Sequence, residues 1–222
     1  MAGIEQIINR RKQAKDTQDK WLLKTIDNTL KRMPSPARKG VFYPSALGSE
    51  CDRYLYNCYH GLVVREEITA VARRIFDCGD YLGYRFEEYF KSMDILLETE
   101  TQILSDDPPI SGRLDFLIEH EIYGKYVIEL KSINQRNFIL LTKPKPEHVI
   151  QLQIYLNLTG YEIGSVLYEN KNDQKIKAFV LKKDVEHWNK IKARCEAIMA
   201  MEEQPSKCTG NNWCACKREK NE

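Results

Sequence analysis

No apolar run in the 222-residue chain approaches the length of a membrane-spanning helix. The opening residues, MAGIEQIINRRKQAK, lack the apolar stretch of a secretory signal. The expected location is therefore intracellular. Internal repeats and low-complexity tracts are absent too, which removes solenoids and compositionally disordered chains from consideration. Charge of neither sign dominates: the net value is +2, which by itself selects no partner. What is present suits one compact domain with small additions. Hydrophobic residues make up 42%, enough to bury a core, and charged residues make up 30%.

The charge is unevenly placed. Residues 1–40 carry ten Lys or Arg, among them Arg10, Arg11 and Lys12, against four acids. That end is +6, so the rest of the chain is net acidic. A solvated amphipathic helix explains such a segment. So does an electrostatic footprint for a polyanion. The cysteines are uneven as well. Cys51 and Cys58 lie early, Cys78 and Cys195 sit in helical patterns, and Cys208, Cys214 and Cys216 crowd the end. In an intracellular chain these thiols are reduced, so disulfides are not expected.

Residues 4–33 read as helix, stopped by Pro34 and Pro36. A shorter helix is expected over 45–60 and the longest over 66–92, with Ile75, Leu82, Phe86 and Phe90 at helical spacing. The middle changes period. ILLETETQIL, RLDFLIE and KYVIELKSI alternate as strands do, with a turn at Tyr123-Gly124. IGSVLYEN and KIKAFVL read as two more strands, and 183–203 as a final helix. Residues 146–159 are ambiguous, because VIQLQIYLNL alternates strictly and periodicity alone makes it a strand. The order of elements predicts an α/β core with a mixed sheet.

The chemistry concentrates in the third strand. Glu129 and Lys131 share one face of it, while Ile128 and Leu130 take the other. Asp115 lies 14 residues before Glu129, enough for a strand, a tight turn and a return strand. Two carboxylates brought together need a cation, and their hard oxygen ligands suit Mg²⁺ or Mn²⁺. Taken alone, E-x-K also suits a cross-strand ion pair on a solvated face. Gln151 and Tyr155 stand four apart, so on a helix they share a face with His148. Glu87, in the long helix, supplies a third carboxylate.

The G-x-x-D ending at Asp115, the E-x-K of Glu129 and Lys131, and the Q-x-x-x-Y of Gln151 and Tyr155 occur in that order. Together they resemble the RecB-like branch of the PD-(D/E)XK nucleases, and within it the CRISPR-associated and phage-encoded single-domain exonucleases. The resemblance covers roughly residues 43–217. It implies a nuclease core with a five-stranded mixed sheet, and a helix rather than a strand at 146–159. It also implies metal ligands at Asp115 and Glu129, a catalytic lysine at Lys131, and Gln151 and Tyr155 contacting DNA and steadying the site. Gly79 and Glu87 fit a further family pattern, but Gly83 stands where a metal-binding histidine is common. That leaves Glu87 and water to complete the shell.

The same resemblance implies a [4Fe–4S] cluster held by one cysteine before the core and three after it. Cys51 matches the first, and Cys208, Cys214 and Cys216 the rest, although C-x5-C-x-C departs from the family's spacing. Four thiolates suit zinc equally, and Cys58 is an alternative first ligand. Cys78 and Cys195 are expected in the core. The expected organisation is a basic helical segment over 1–40, a nuclease domain over 41–204 and a cysteine-rich tail over 205–222. The expected activity is that of a Mg²⁺- or Mn²⁺-dependent DNA exonuclease acting on single strands or strand ends, 5′ to 3′, in the cytoplasm of a bacterial or phage-infected cell. A structure-selective endonuclease on the same core is the alternative enzyme. A DNA-end binding module with a structural cluster or zinc is the alternative without catalysis.

Overall fold

A computed structural model describes Ile4 and residues 19–33, 38–63, 67–209, 214 and 216. These residues form two compact units. The first takes Ile4, 19–33 and 67–78, and the second takes 38–63 and 79–209 with Cys214 and Cys216.

In the first unit, helix α1 spans Lys20–Leu30. Asp19 caps it by accepting the Leu22 N–H at 2.8 Å. None of its residues is buried. Asp27 pairs at 2.7 Å with Arg74 of α4, the long helix over Ala70–Ser92. The expected helix over 4–33 is thus seen from Lys20 onward. Arg10, Arg11 and Lys12 lie outside the described residues. Among the described residues no helix is long and apolar enough to cross a membrane.

The second unit opens with α2 (Pro44–Leu47) and α3 (Asp52–His60). The single helix expected over 45–60 is two, parted at Gly48. There the chain presses on the later helix α6 (Pro146–Thr159), and a Cβ on Gly48 would lie 2.5 Å from that of Glu147. Strands β1 (Leu96–Asp106), β2 (Pro109–His120), β3 (Gly124–Ile133), β4 (Ile163–Asn170) and β5 (Ile176–Lys182) form one sheet in sequence order. All neighbours are antiparallel except β3 and β4, which run parallel. Their crossover carries α6 and a short helix, α5 (Gln135–Leu140), that the sequence pattern did not announce. Helix α7 (Val185–Met199) follows the last strand, capped by Asp184.

Helices cover both faces of the sheet. On one face Leu82, Phe86 and Phe90 of α4 pack on Phe116, Ile118, Ile128 and Leu167. On the other, Leu152, Tyr155 and Leu156 of α6 pack on Leu114, Leu117, Val127 and Val166. The opposite side of α6 buries Ile154 against Phe42, Leu55, Ile191 and Ile198. A helix buried on two sides has no single apolar stripe, which is why its sequence failed to show a helical period. Gln153 sits in that apolar run because its amide is satisfied: it donates to the Lys182 carbonyl and accepts from the Asp184 N–H, both at 2.8 Å. Ile75 is helical as its spacing indicates but unburied, and Cys78 departs from the expectation of a core position. Both are exposed, whereas Cys195 is fully buried.

Gly112 is the close approach that seats α6. A Cβ there would lie 2.7 Å from Pro44 Cγ and 2.9 Å from the Tyr155 ring. Gly112→Ala should therefore cost about 1–3 kcal/mol through overpacking. Urea denaturation reads it directly, and an unchanged midpoint would contradict the contact.

Candidate active site

Strands β2 and β3 pair only from Phe116 to His120 against Gly124 to Ile128. Past that point they part, and the backbone groups there need other partners. Asp115 supplies one: its carboxylate accepts the Leu130 N–H at 2.7 Å. Two residues along β3, Lys131 forms an ion pair with Glu129. The parting strands open a cleft of about 630 Å³. Glu100 of β1, Arg113 and Asp115 of β2, and Lys131 and Ser132 of β3 line it from the sheet, and Gly83, Tyr84 and Glu87 from α4.

Glu129 is fully buried, and among the described residues its second carboxylate oxygen, Oε2, has no hydrogen-bond partner. A buried acceptor left unpaired is costly. Burial pushes the Glu129 carboxyl up to about 8, and the neighbouring Asp115 adds to the shift, while Lys131 only partly offsets it. Burial likewise raises Asp115 above the ordinary carboxylate range, against the pull of Lys131 and the Leu130 N–H. Lys131 is itself buried, which disfavours its charge, but the facing Glu129 and Asp115 outweigh that and hold its proton on. One ammonium thus serves two carboxyls. An orphaned oxygen in an oxygen donor set is what a hard divalent ion satisfies, so Asp115 and Glu129 fit such an ion.

The sequence-derived residues fall around this point. Glu87 lines the same cleft, where it pairs with Lys91 at 2.8 Å. Tyr155 is buried and donates to the Arg113 carbonyl at 2.8 Å, while Gln151 donates to Tyr155 Oη at 3.4 Å. G-x-x-D and Q-x-x-x-Y therefore meet: the tyrosine lies over the glycine and holds the strand that carries Asp115. Gly83 faces open space, with nothing within 4 Å of a built Cβ. Glu100 and Arg113 were not singled out from sequence. They pair with each other on the cleft wall. Glu100 stands at a positive φ of 53° on an exposed strand, which no sequence period signals.

A second cluster lies at the N-terminus of α3. Sγ atoms of Cys51, Cys208, Cys214 and Cys216 all lie within 4.8 Å of one another. Cys51 caps α3, its sulfur accepting the Tyr54 N–H at 3.4 Å. The tail reaches it because Arg53 donates to the Pro205 carbonyl at 2.8 Å and Gln204 to Asn57 at 2.5 Å. Burial pushes Cys51 up to about 12. Cys216 goes the other way, to about 7, where hydrogen bonds from the Cys208 backbone and the neighbouring thiols outweigh its burial. Cys58 is buried in the separate apolar cluster beside α7. Four thiols in one place fit a thiophilic metal or an iron–sulfur group.

No protein-family model matches the chain, and no curated protein matches it. Among solved structures it is similar to SSO0001, at 21% identity and a TM-score of 0.51, over 75% of this chain and 78% of that one. It is also similar to an alkaline exonuclease from Laribacter hongkongensis, at 15% identity and a TM-score of 0.51, over 72% of this chain and 87% of that one. Identities this low show a likeness of fold alone, which in this chain is an α/β fold with a five-stranded mixed sheet between helices.

The buried carboxyl gives metal-free protein a pH signature. Glu129 binds its proton more tightly folded than unfolded, so that contribution is complete below the ordinary Glu range and is lost as pH rises through about 8. In chelator, the melting temperature should fall over that window, and Glu129→Gln should flatten much of the fall. An equal decline in the variant would contradict the assignment.

Proposed function

We propose that the chain is a divalent-metal-dependent deoxyribonuclease, an exonuclease that hydrolyses phosphodiester bonds at single strands or strand ends from the 5′ side. The observation that carries this reading is the unpaired oxygen of buried Glu129, behind the Asp115 and Lys131 side chains that line an open cleft. Likeness to a fold that includes an exonuclease supports it. Asp115 and Glu129 would hold Mg²⁺ or Mn²⁺, with Glu87 the third carboxylate on the cleft wall. Bound there, the ion supplies Lewis-acid activation for phosphodiester hydrolysis. Lys131 sets its ammonium where charge develops on the phosphoryl oxygens. Tyr155 and Gln151 keep β2, and with it Asp115, in place against β3.

End-labelled linear and circular single strands, each with Mg²⁺, Mn²⁺ or chelator, test the activity. Linear strands should release short products from the labelled 5′ end only when metal is present, and circles should survive. Glu129→Ala and Lys131→Ala should each lose at least about 100-fold in kcat while circular dichroism reports an intact fold. Near-normal turnover in either folded variant would overturn the site. Cleavage of circles would replace the exonuclease with an endonuclease on the same core.

We propose that the four cysteines carry a [4Fe–4S] cluster, as the family resemblance implies. One observation favours a second reading, zinc. Thiolates about 2.3 Å from a single tetrahedral ion lie roughly 3.8 Å apart, close to the 3.4 Å between the Cys208 and Cys216 sulfurs. Iron, sulfide and zinc assayed on one anaerobic preparation decide between them. Four irons per chain support the cluster, and one zinc without iron replaces it. Cys51→Ser should lose the metal and lower the melting temperature, whereas Cys195→Ser should keep the metal. Full metal content in Cys51→Ser would remove Cys51 from the set.

A further inference from the structure

Helix α6 carries one more polar side chain over the catalytic strands, a turn before Gln151. His148 meets Tyr168, which is fully buried on β4 and stands opposite Lys131 in the parallel β3–β4 register. One of the two hydrogen bonds to Tyr168 has a fixed direction. The Lys145 N–H donates to Tyr168 Oη at 3.0 Å. The phenol's own proton is then free to go to His148 Nδ1, 2.7 Å away. Tyr168 Oη could also accept from an Nδ1–H, but its own buried proton would then have no acceptor among the described residues, so Nδ1 is assigned as the acceptor and the ring proton of a neutral imidazole to Nε2. Among the described residues nothing hydrogen-bonds to Nε2. That atom is also not sealed in the interior. That leaves an N–H donor that is not sealed off, near enough to Lys131 for the two to interact electrostatically.

We propose that His148 is a neutral, tautomer-locked donor to a phosphodiester oxygen of the substrate strand next to Lys131, with Tyr168 as the residue that positions it. The proposal rests on the nuclease reading and adds a contact to it. Burial holds the ring far below the ordinary histidine range, at about 3, and the positive charges of Lys131 on β3 and Lys145 at the head of α6 add to this. The acids near the pair are Glu147 on α6 and Glu129 on β3, both of which act on Tyr168. The ring consequently binds phosphate as a dipole and not as a cation, and its contribution does not fade as pH rises from 5 to 8.

Two measurements on the full chain test this. In protein labelled with ¹⁵N at histidine, His148 should show the Nε2–H tautomer without titrating between pH 5 and 8. A Tyr168→Phe variant should show mixed tautomers. Binding of a fluorescent oligothymidylate in chelator should weaken about 10-fold or more in His148→Leu, as expected for a lost hydrogen bond to a charged group. His148→Gln, which keeps an N–H at similar reach, should bind within about 3-fold of the starting protein. The loss should appear in KM with kcat little changed. An Nδ1–H tautomer, titration near the ordinary histidine value, or unchanged binding in His148→Leu would overturn the proposal. The tautomer is read on unmutated protein, so a variant that fails to fold does not shield it. Oligothymidylate that binds through His148 but is never cut would sink the nuclease reading and leave this contact standing.

Discussion

Two carboxyls share one ammonium at the place where β2 and β3 part, and the rest of the second unit is arranged around that deficit. Glu129 is sealed from water with one oxygen unpaired, and Asp115 is committed to the Leu130 N–H. A buried pair of this kind does not stabilise a fold by itself, since desolvation outweighs what one lysine returns. The surroundings must supply that stability. They do so with apolar layers on both sides of the sheet, Leu82, Phe86 and Phe90 below and Leu152, Tyr155 and Leu156 above.

Helix α6 connects the scaffold to the chemistry. Its Tyr155 reaches across to the Arg113 carbonyl through the gap left by Gly112, so packing and positioning are one contact. Its first turn places His148 over the neighbouring strand pair, where Tyr168 and Lys145 orient the ring. Pro146 starts the helix and Gly160 ends it in the left-handed region, so these functional side chains ride on a short, well-bounded rod. Elsewhere in this unit, the cysteine group joins α3 to the tail. A metal there would close a loop of over a hundred residues and restrict the unfolded chain accordingly.

Much of this was legible in the sequence because the strands are regular. Alternation placed Glu129 and Lys131 on one face, and the ion pair between them follows from that spacing. The 14-residue gap to Asp115 matched a hairpin, although the carboxylate's role as a backbone acceptor at the strand split was not readable from spacing. Helix α6 was misread by periodicity, since burial on two sides erases the signal, and was placed only by its resemblance to a family. Glu100 on the edge strand and Arg113 on the neighbouring β2 escaped notice because exposed charges on strands look like ordinary solvated surface. Cys78 looked like core because a helical pattern places it beside apolar residues, yet the helix turns it outward. Gly83, which stands where the family commonly has a histidine, lies on the cleft wall with nothing within 4 Å of a built Cβ.

Anomalous diffraction from crystals soaked in Mn²⁺ tests the central claim most directly. The account predicts a manganese peak within coordination distance of carboxylate oxygens from both Asp115 and Glu129, with the Lys131 ammonium drawn off Glu129. A cleft that stays free of manganese at saturating concentration, with the Lys131–Glu129 ion pair intact, would contradict it and leave these residues as a buried ion pair.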